Sequence, residues 1–133
     1  MVNRLNIRLR FAYSSNLSQL NSDIKLETYI CTDSDKLEHC KDLGSVVIYR
    51  FGRIVIAQFE CIITDASYMN TWNNILSIPK KYSPAKRTYG TLAGLYGDTV
   101  LSIKIEGNSI SFVVTNHILD ESINGYGTLC WVV

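Results

Sequence analysis

The sequence predicts an all-β chain folded as an antiparallel two-sheet β-sandwich, jelly-roll-like, with at most one short helix. Three observations predict it. Apolar residues recur at every second position through most segments, the period of a half-buried strand. Two glycine turns, at Gly52 and at Gly107-Asn108, each join a pair of alternating β-branched runs. No helix of crossover length separates the strands, which disfavours a parallel sheet. A length of 133 residues suits one core, so residues 1–133 form a single domain.

The elements follow in chain order. Leu5, Ile7, Leu9 and Phe11 alternate with Arg4, Asn6, Arg8 and Arg10, predicting a first strand with one apolar face. The polar run SSNLSQLNSD reads as a loop. Ile24, Leu26, Thr28 and Ile30 then alternate with Lys25, Glu27 and Tyr29 as a second strand. TDSDKLEHCKDLG is the best helical candidate, of about two turns, with Thr32 or Ser34 as cap and Gly44 as stop. A hairpin turning at Gly52 comes next, and a second turns at Gly107-Asn108, where both residues tolerate positive φ. The closing run GTLCWVV is a strand whose apolar end must be paired into a sheet or covered by another subunit. In all, eight or nine short strands are predicted, and two packed sheets would bury their apolar faces.

Between the hairpins lies WNNILSIPKKYSPAKR, which holds both prolines, Pro79 and Pro84, and the basic residues Lys80, Lys81, Lys86 and Arg87. Proline forbids regular ladder pairing in mid-segment and favours an extended backbone before it. The segment therefore reads as a rigid crossing from one sheet to the other, anchored by Ile75, Ile78 and Tyr82, with its lysines outward.

Composition bounds the function classes. An apolar fraction of 47% with 19% charged residues is that of a globular chain rather than a disordered one. A formal net charge of +1 supplies no global field to draw in nucleic acid or an anionic membrane. No apolar run approaches the roughly 18 residues needed to span a bilayer. The opening MVNRLNIRLR lacks a continuous hydrophobic stretch and a small-residue cleavage site, so no signal peptide is expected, and the chain is either kept in the cytosol or part of something longer. Cys31, Cys40, Cys61 and Cys130 stand far apart without a C-x-x-C pair, so reduced, mostly buried thiols are expected rather than a zinc ribbon or redox site.

Chemical signatures are sparse. His39 and Cys40 are sequence neighbours, but adjacent helical residues point about 100° apart and do not make a Cys–His pair. His117 stands near Asp120 and Glu121, a grouping that can move protons but that any loop can contain. No G-x-S-x-G, H-E-x-x-H or phosphate-binding glycine loop occurs, and Gly94 and Gly97 read as turn glycines. No catalytic residue is therefore assigned, and no cofactor. Asp33 and Asp35 have calcium-like spacing without the Gly and Glu of an EF-hand, so a solvated cap is expected and no metal site. Lys80, Lys81, Tyr82, Lys86 and Arg87 interleave basic and aromatic side chains as single-strand binders do, but the near-neutral charge and the anchoring role of Tyr82 argue against nucleic acid. Tyr68, Trp72, Tyr89, Tyr96 and Tyr126 fall near loops or strand ends, where aromatic rings suit sugar C–H faces and protein interfaces equally. The expected contact residues are Trp72, Lys80, Lys81, Tyr82 and Tyr126.

Trp72, Ile75, Ile78, Pro79, Tyr82 and Pro84 stand in a pattern that resembles the W-x-x-I-x-x-L-P-x-G-Y-x-P segment of C-terminal domains in bacteriophage tail, baseplate and receptor-binding proteins. Gly52-Arg53-Ile54-Val55 is similar to the G-x-I/V step that precedes that segment, and Leu101, Ile103, Gly107, Ile110 and Phe112 to the pair that follows. The resemblance covers residues 44–133; residues 1–43 are unmatched, and Lys81 replaces the usual glycine. It implies a non-enzymatic β-sandwich domain of a virion tail, assembled in the bacterial host cytoplasm and commonly a homotrimer. Its partners would be other tail or baseplate proteins and a host cell-surface glycan, engaged multivalently, with no nucleic acid and no membrane. A stand-alone carbohydrate-binding module is the first alternative, and a small hydrolase using His117 or His39 the second.

Overall fold

A computed structural model of the chain describes residues 25–64, 71–94, 99–114 and 122–133. The expected strand at 5–11, together with His117, Tyr68 and Tyr96, lies outside these residues. The described residues are all-β. Nine strands run β1 Leu26–Ile30, β2 Cys40–Asp42, β3 Ser45–Phe51, β4 Ile54–Thr64, β5 Asn73–Ser77, β6 Thr88–Gly94, β7 Val100–Glu106, β8 Ser109–Val113 and β9 Ile123–Val132. All pairings are antiparallel, in the order β1-β3-β4-β9-β6-β7-β8-β5, with β2 on β4. The sheet is curled into a half-barrel.

Two features of the pairing shape that curl. The first is a narrow seam: β6 and β9 are joined only at Ala93↔Tyr126 and Gly94↔Gly125, whereas β3 and β4 pair along their full common length. The strip therefore consists of two four-stranded halves, β1-β3-β4-β9 and β6-β7-β8-β5, meeting at one corner. The second is a return path. The Leu37 N–H donates to the Ile75 carbonyl at 2.9 Å and the His39 N–H to the Asn74 carbonyl at 3.1 Å, so the segment before β2 ties the β5 edge back towards β4. Val46, Ile48, Val55, Ala57 and Phe59 from one half and Leu101, Ile103, Ile105, Ile110 and Phe112 from the other belong to one common buried cluster. Each such side chain removed from water stabilises the fold by about 1.5–3 kcal/mol before chain entropy is charged against it.

Both predicted hairpins form. Phe51 pairs with Ile54 across Gly52-Arg53, and Glu106 with Ser109 across Gly107-Asn108. Positive φ is confined to the glycine in each, +56° at Gly52 and +58° at Gly107, so Asn108 does not share it and the turns follow the II′ pattern. The closing strand also forms, and the apolar chain end is paired: Val55 faces Trp131 and Ile54 faces Val132.

The helix expected over 32–44 does not form. Only Asp33–Asp35 makes a 3-10 turn, and the chain then passes through a bridge at Lys36 into β2. The cap chemistry is the expected kind, since the Thr32 N–H donates to Asp35 Oδ2 at 2.7 Å. A cap starts a turn but does not sustain a helix, and Leu37 and Cys40 find partners across the sheet instead. Gly44 has the positive φ expected of it, +55°, but at the β2–β3 turn. It lies against a bulge in β4, where Cys61 holds φ +63° and the pairing with β9 shifts register.

The proline segment does not cross from one half to the other: it links β5 to β6, the two end strands of the same half, and packs as a plug against β1, β3 and β9 on the way. Ile75, Ile78 and Tyr82 are buried, and Lys80, Lys81, Lys86 and Arg87 are exposed. Its middle is a second 3-10 turn, Lys80–Tyr82, rather than fully extended chain. Arg50 Nη1 donates to the Lys81 carbonyl, Trp131 Nε1 donates to the Tyr82 carbonyl at 2.6 Å, and the Ala85 N–H donates to the Val132 carbonyl at 2.9 Å.

Candidate functional site

The sequence-predicted contact residues separate into three places. Tyr82 is in the core, only 1% exposed, with its ring 5.8 Å from that of Tyr29. Lys81 lies over the Tyr82 ring at 5.0 Å and pairs with Glu27 at 2.6 Å, so its ammonium locks the plug to β1. Hydrogen bonding to Lys81 lowers the Glu27 pKa, and the same bond raises that of Lys81. Lys80 is exposed at the start of the same turn. Tyr126 is half-buried at the β6–β9 seam, and its hydroxyl pKa is raised chiefly by a hydrogen bond with Cys61. Trp72 belongs to neither group.

Trp72 precedes β5 and builds a site on the outer face of the β6-β7-β8-β5 half. Antiparallel register aligns Tyr89, Lys104, Ser111 and Asn74 in one row, with Thr91, Ser102 and Val113 in the next; Tyr89, Asn74 and Thr91 are exposed, Lys104 and Ser102 half-buried, and Ser111 and Val113 buried. Trp72 and Tyr89 approach from opposite sides of this half-sheet and meet with ring centroids 6.0 Å apart at 49°. Lys104, from β7 between them, holds its ammonium 5.1 Å from the Trp72 ring. Trp72 remains 38% and Tyr89 61% exposed, so the pair forms a ledge rather than a core contact. Polar groups surround it. Ser111 Oγ and Ser109 Oγ donate to Asn74 Oδ1 at 2.7 and 3.3 Å. Arg87 donates through Nε to Glu106 Oε1 at 2.9 Å and through Nη2 to the same oxygen, and Lys104 lies 3.7 Å from the other oxygen. The Arg87 hydrogen bond lowers the Glu106 pKa, so that carboxylate is charged and sits between two cations.

Tyr89 also borders a cleft of about 170 Å³ where β6 and β9 part below the seam, lined by residues 88–91, Ile105 and residues 128–130. Gly90 leaves room there for the Leu129 side chain, since a Cβ on it would come within 2.6 Å of Leu129 Cδ2. The arrangement combines an exposed aromatic ledge, amide and hydroxyl groups beside it, the half-buried Lys104 ammonium and a small polar cleft. That set suits a polyhydroxylated ligand: apolar ring faces for C–H groups and hydrogen-bonding groups at the sides.

Elsewhere the chemistry is structural. The Asp33 and Asp35 carboxylates serve the turn, Asp35 accepting from Tyr29 Oη at 2.8 and 2.9 Å. Among the described residues no three His, Cys, Asp or Glu side chains gather in a cluster able to hold a metal. All four thiols are free; burial pushes Cys31 up to about 12 and Cys40 up to about 11, far from thiolate chemistry at neutral pH. His39 Nε2 stands 3.9 Å from Glu38. Sequence reading placed Trp72 and Tyr89 among candidate aromatics but had no signal for Lys104 or Gly90, which join the site only through strand register.

No protein-family model matches the chain, and comparison with the curated proteins also returns no match.

Proposed function

We propose that this chain is a non-enzymatic adhesion domain that binds a cell-surface glycan through the outer face of the β6-β7-β8-β5 half. One observation carries the reading: Trp72 and Tyr89 form an exposed ledge flanked by Lys104 and Asn74 on an antiparallel half-sheet, with buried Ser111 holding Asn74 in place. A rigid sheet presents such groups at low entropic cost, and weak single-site contacts become useful when several copies engage together. The ordered motif from Trp72 to Pro84 supports a place in a phage or prophage tail or baseplate, with host-surface adhesion as the role. The same reading takes the two four-stranded halves as the layers of a jelly-roll-like sandwich joined at the β6–β9 seam, which the two-pair junction supports.

A glycan array together with host cell-wall pull-down tests this. Retention is expected on at least one surface polysaccharide, and Trp72→Ala or Tyr89→Ala should each weaken it about tenfold, the scale of one lost aromatic contact. A protein retained by no glycan and no cell wall would instead be a structural connector. The hydrolase alternative has His39 beside Glu38 as its described feature. Glycan cleavage that disappears in His39→Ala would favour it.

A further inference from the structure

The opposite face of the molecule has a different character. On the β1-β3-β4-β9 half, register aligns Leu26, Phe51, Ile54 and Val132 in one outward row. Ile30 lies further along β1 on the same side, two pairs beyond Thr28. Leu26 is 50% exposed, Ile30 65%, Phe51 39%, Ile54 49% and Val132 51%, a concentration of open apolar surface. These five side chains leave on the order of 450 Å² in water, comparable to the largest apolar patch of a typical monomer. A standard interface takes about 800 Å² per partner, so these five side chains would supply its apolar core and the half-buried Val47, Tyr49 and Ile56 between them part of the remainder.

We infer that this face is the contact surface between two copies of the chain, packed sheet on sheet about a two-fold axis. Charge placement argues for a second copy as the occupant. The outward residues along the middle of the face are uncharged, so a copy laid on itself brings no like charges together. The ends carry opposite signs: exposed Arg53 lies at the Phe51–Ile54 turn, its Nε donating to the Val133 carbonyl, and exposed Glu60 lies at the far end of the same face of β4. A two-fold axis in the interface and perpendicular to the strands reverses strand direction, setting the basic end of one copy over the acidic end of the other. An axis parallel to the strands would oppose like charges, so the geometry selects the first. The inference does not rest on the glycan reading: the Trp72–Tyr89 ledge belongs to the other half, and only the cleft beside Tyr89, which Cys130 also lines, borders both surfaces.

Sedimentation equilibrium across the micromolar range tests it, with Cys130 as a second reporter. Cys130 is an exposed free thiol that pairs with Ile56 on this same face. The 15.0 kDa chain is expected to show about twice that mass. Cys130 should react slowly with a maleimide at high protein concentration and quickly on dilution. Ile54→Lys with Phe51→Lys should give the monomer mass and fast labelling. Ile54→Thr with Val132→Thr keeps strand-compatible residues and should do the same if the lysine pair misfolds, with unchanged far-ultraviolet circular dichroism as the control. A wild-type monomer across the whole range overturns the inference; slow, concentration-independent labelling in that case assigns the cover to residues 1–24. Dimers that persist in the folded threonine variant overturn it as well.

Discussion

Gly44 and Gly107 both hold positive φ, but their surroundings differ. A Cβ at Gly44 would lie 2.3 Å from the Cys61 carbonyl oxygen and 2.5 Å from that of Glu60, while at Gly107 nothing lies within 4 Å. Gly107→Ala therefore costs only the conformational term, about 1 kcal/mol, whereas Gly44→Ala must also displace the β4 bulge and should cost upwards of about 3 kcal/mol. Urea unfolding of the two variants checks the ordering; equal losses would mean that the bulge yields. Tyr29 supplies a second prediction at this scale. Its hydroxyl donates to Asp35, and that bond, reinforced by burial and the carboxylate charge, raises its pKa from 10.0 to about 12. A raised folded-state pKa gives stability that is complete below pH 10 and drains away as pH rises to about 12. Tyr29→Phe should remove part of the alkaline slope of stability in that window, and an unchanged slope would assign it to other groups.

At the scale of elements, the proline segment is the clearest lesson. Its basic residues suggest a binding loop, yet its middle is a plug whose carbonyls receive Arg50 and Trp131. Tyr82→Ala should cost about 3–5 kcal/mol, the range of large aromatic truncations in a core. Trp131→Phe strands the buried Tyr82 carbonyl and should cost about 1–3 kcal/mol. Lys81→Ala breaks an exposed pair with Glu27 and a contact over the Tyr82 ring, and should cost least of the three, less still in salt. Thermal melts of the three separate these ranks, and a Lys81 variant as damaged as the Tyr82 one would contradict the plug. The anchors Ile75, Ile78 and Tyr82 were legible in the sequence because proline punctuation and apolar spacing are local signals. The hairpins at Gly52 and Gly107 were legible for the same reason. The stretch 32–44 was not: its Thr32 cap is equally that of a single 3-10 turn, and what draws Cys40 into a strand is Thr64, distant in sequence. The candidate site was half legible. Trp72 and Tyr89 announce themselves as exposed aromatics, but Lys104 and Asn74 join them through a register that no local pattern encodes.

For the molecule as a whole, the two halves turn different surfaces outward. One is aromatic and polar around Trp72 and Tyr89, the other aliphatic around Ile54 and Val132. This division lets one chain hold a ligand on one side and a copy of itself on the other, the arrangement that multivalent adhesion needs. The chain's two tryptophans make the ligand face directly observable, because Trp131 is buried and Trp72 is open. The decisive measurement is a tryptophan fluorescence titration with a host cell-surface polysaccharide. The account predicts a saturable change in the wild type and in Trp131→Phe that vanishes in Trp72→Phe, with Tyr89→Ala shifting the midpoint to higher ligand. No saturable change with any surface polysaccharide, or a binding curve in another assay that is indifferent to both Trp72 and Tyr89, would contradict it.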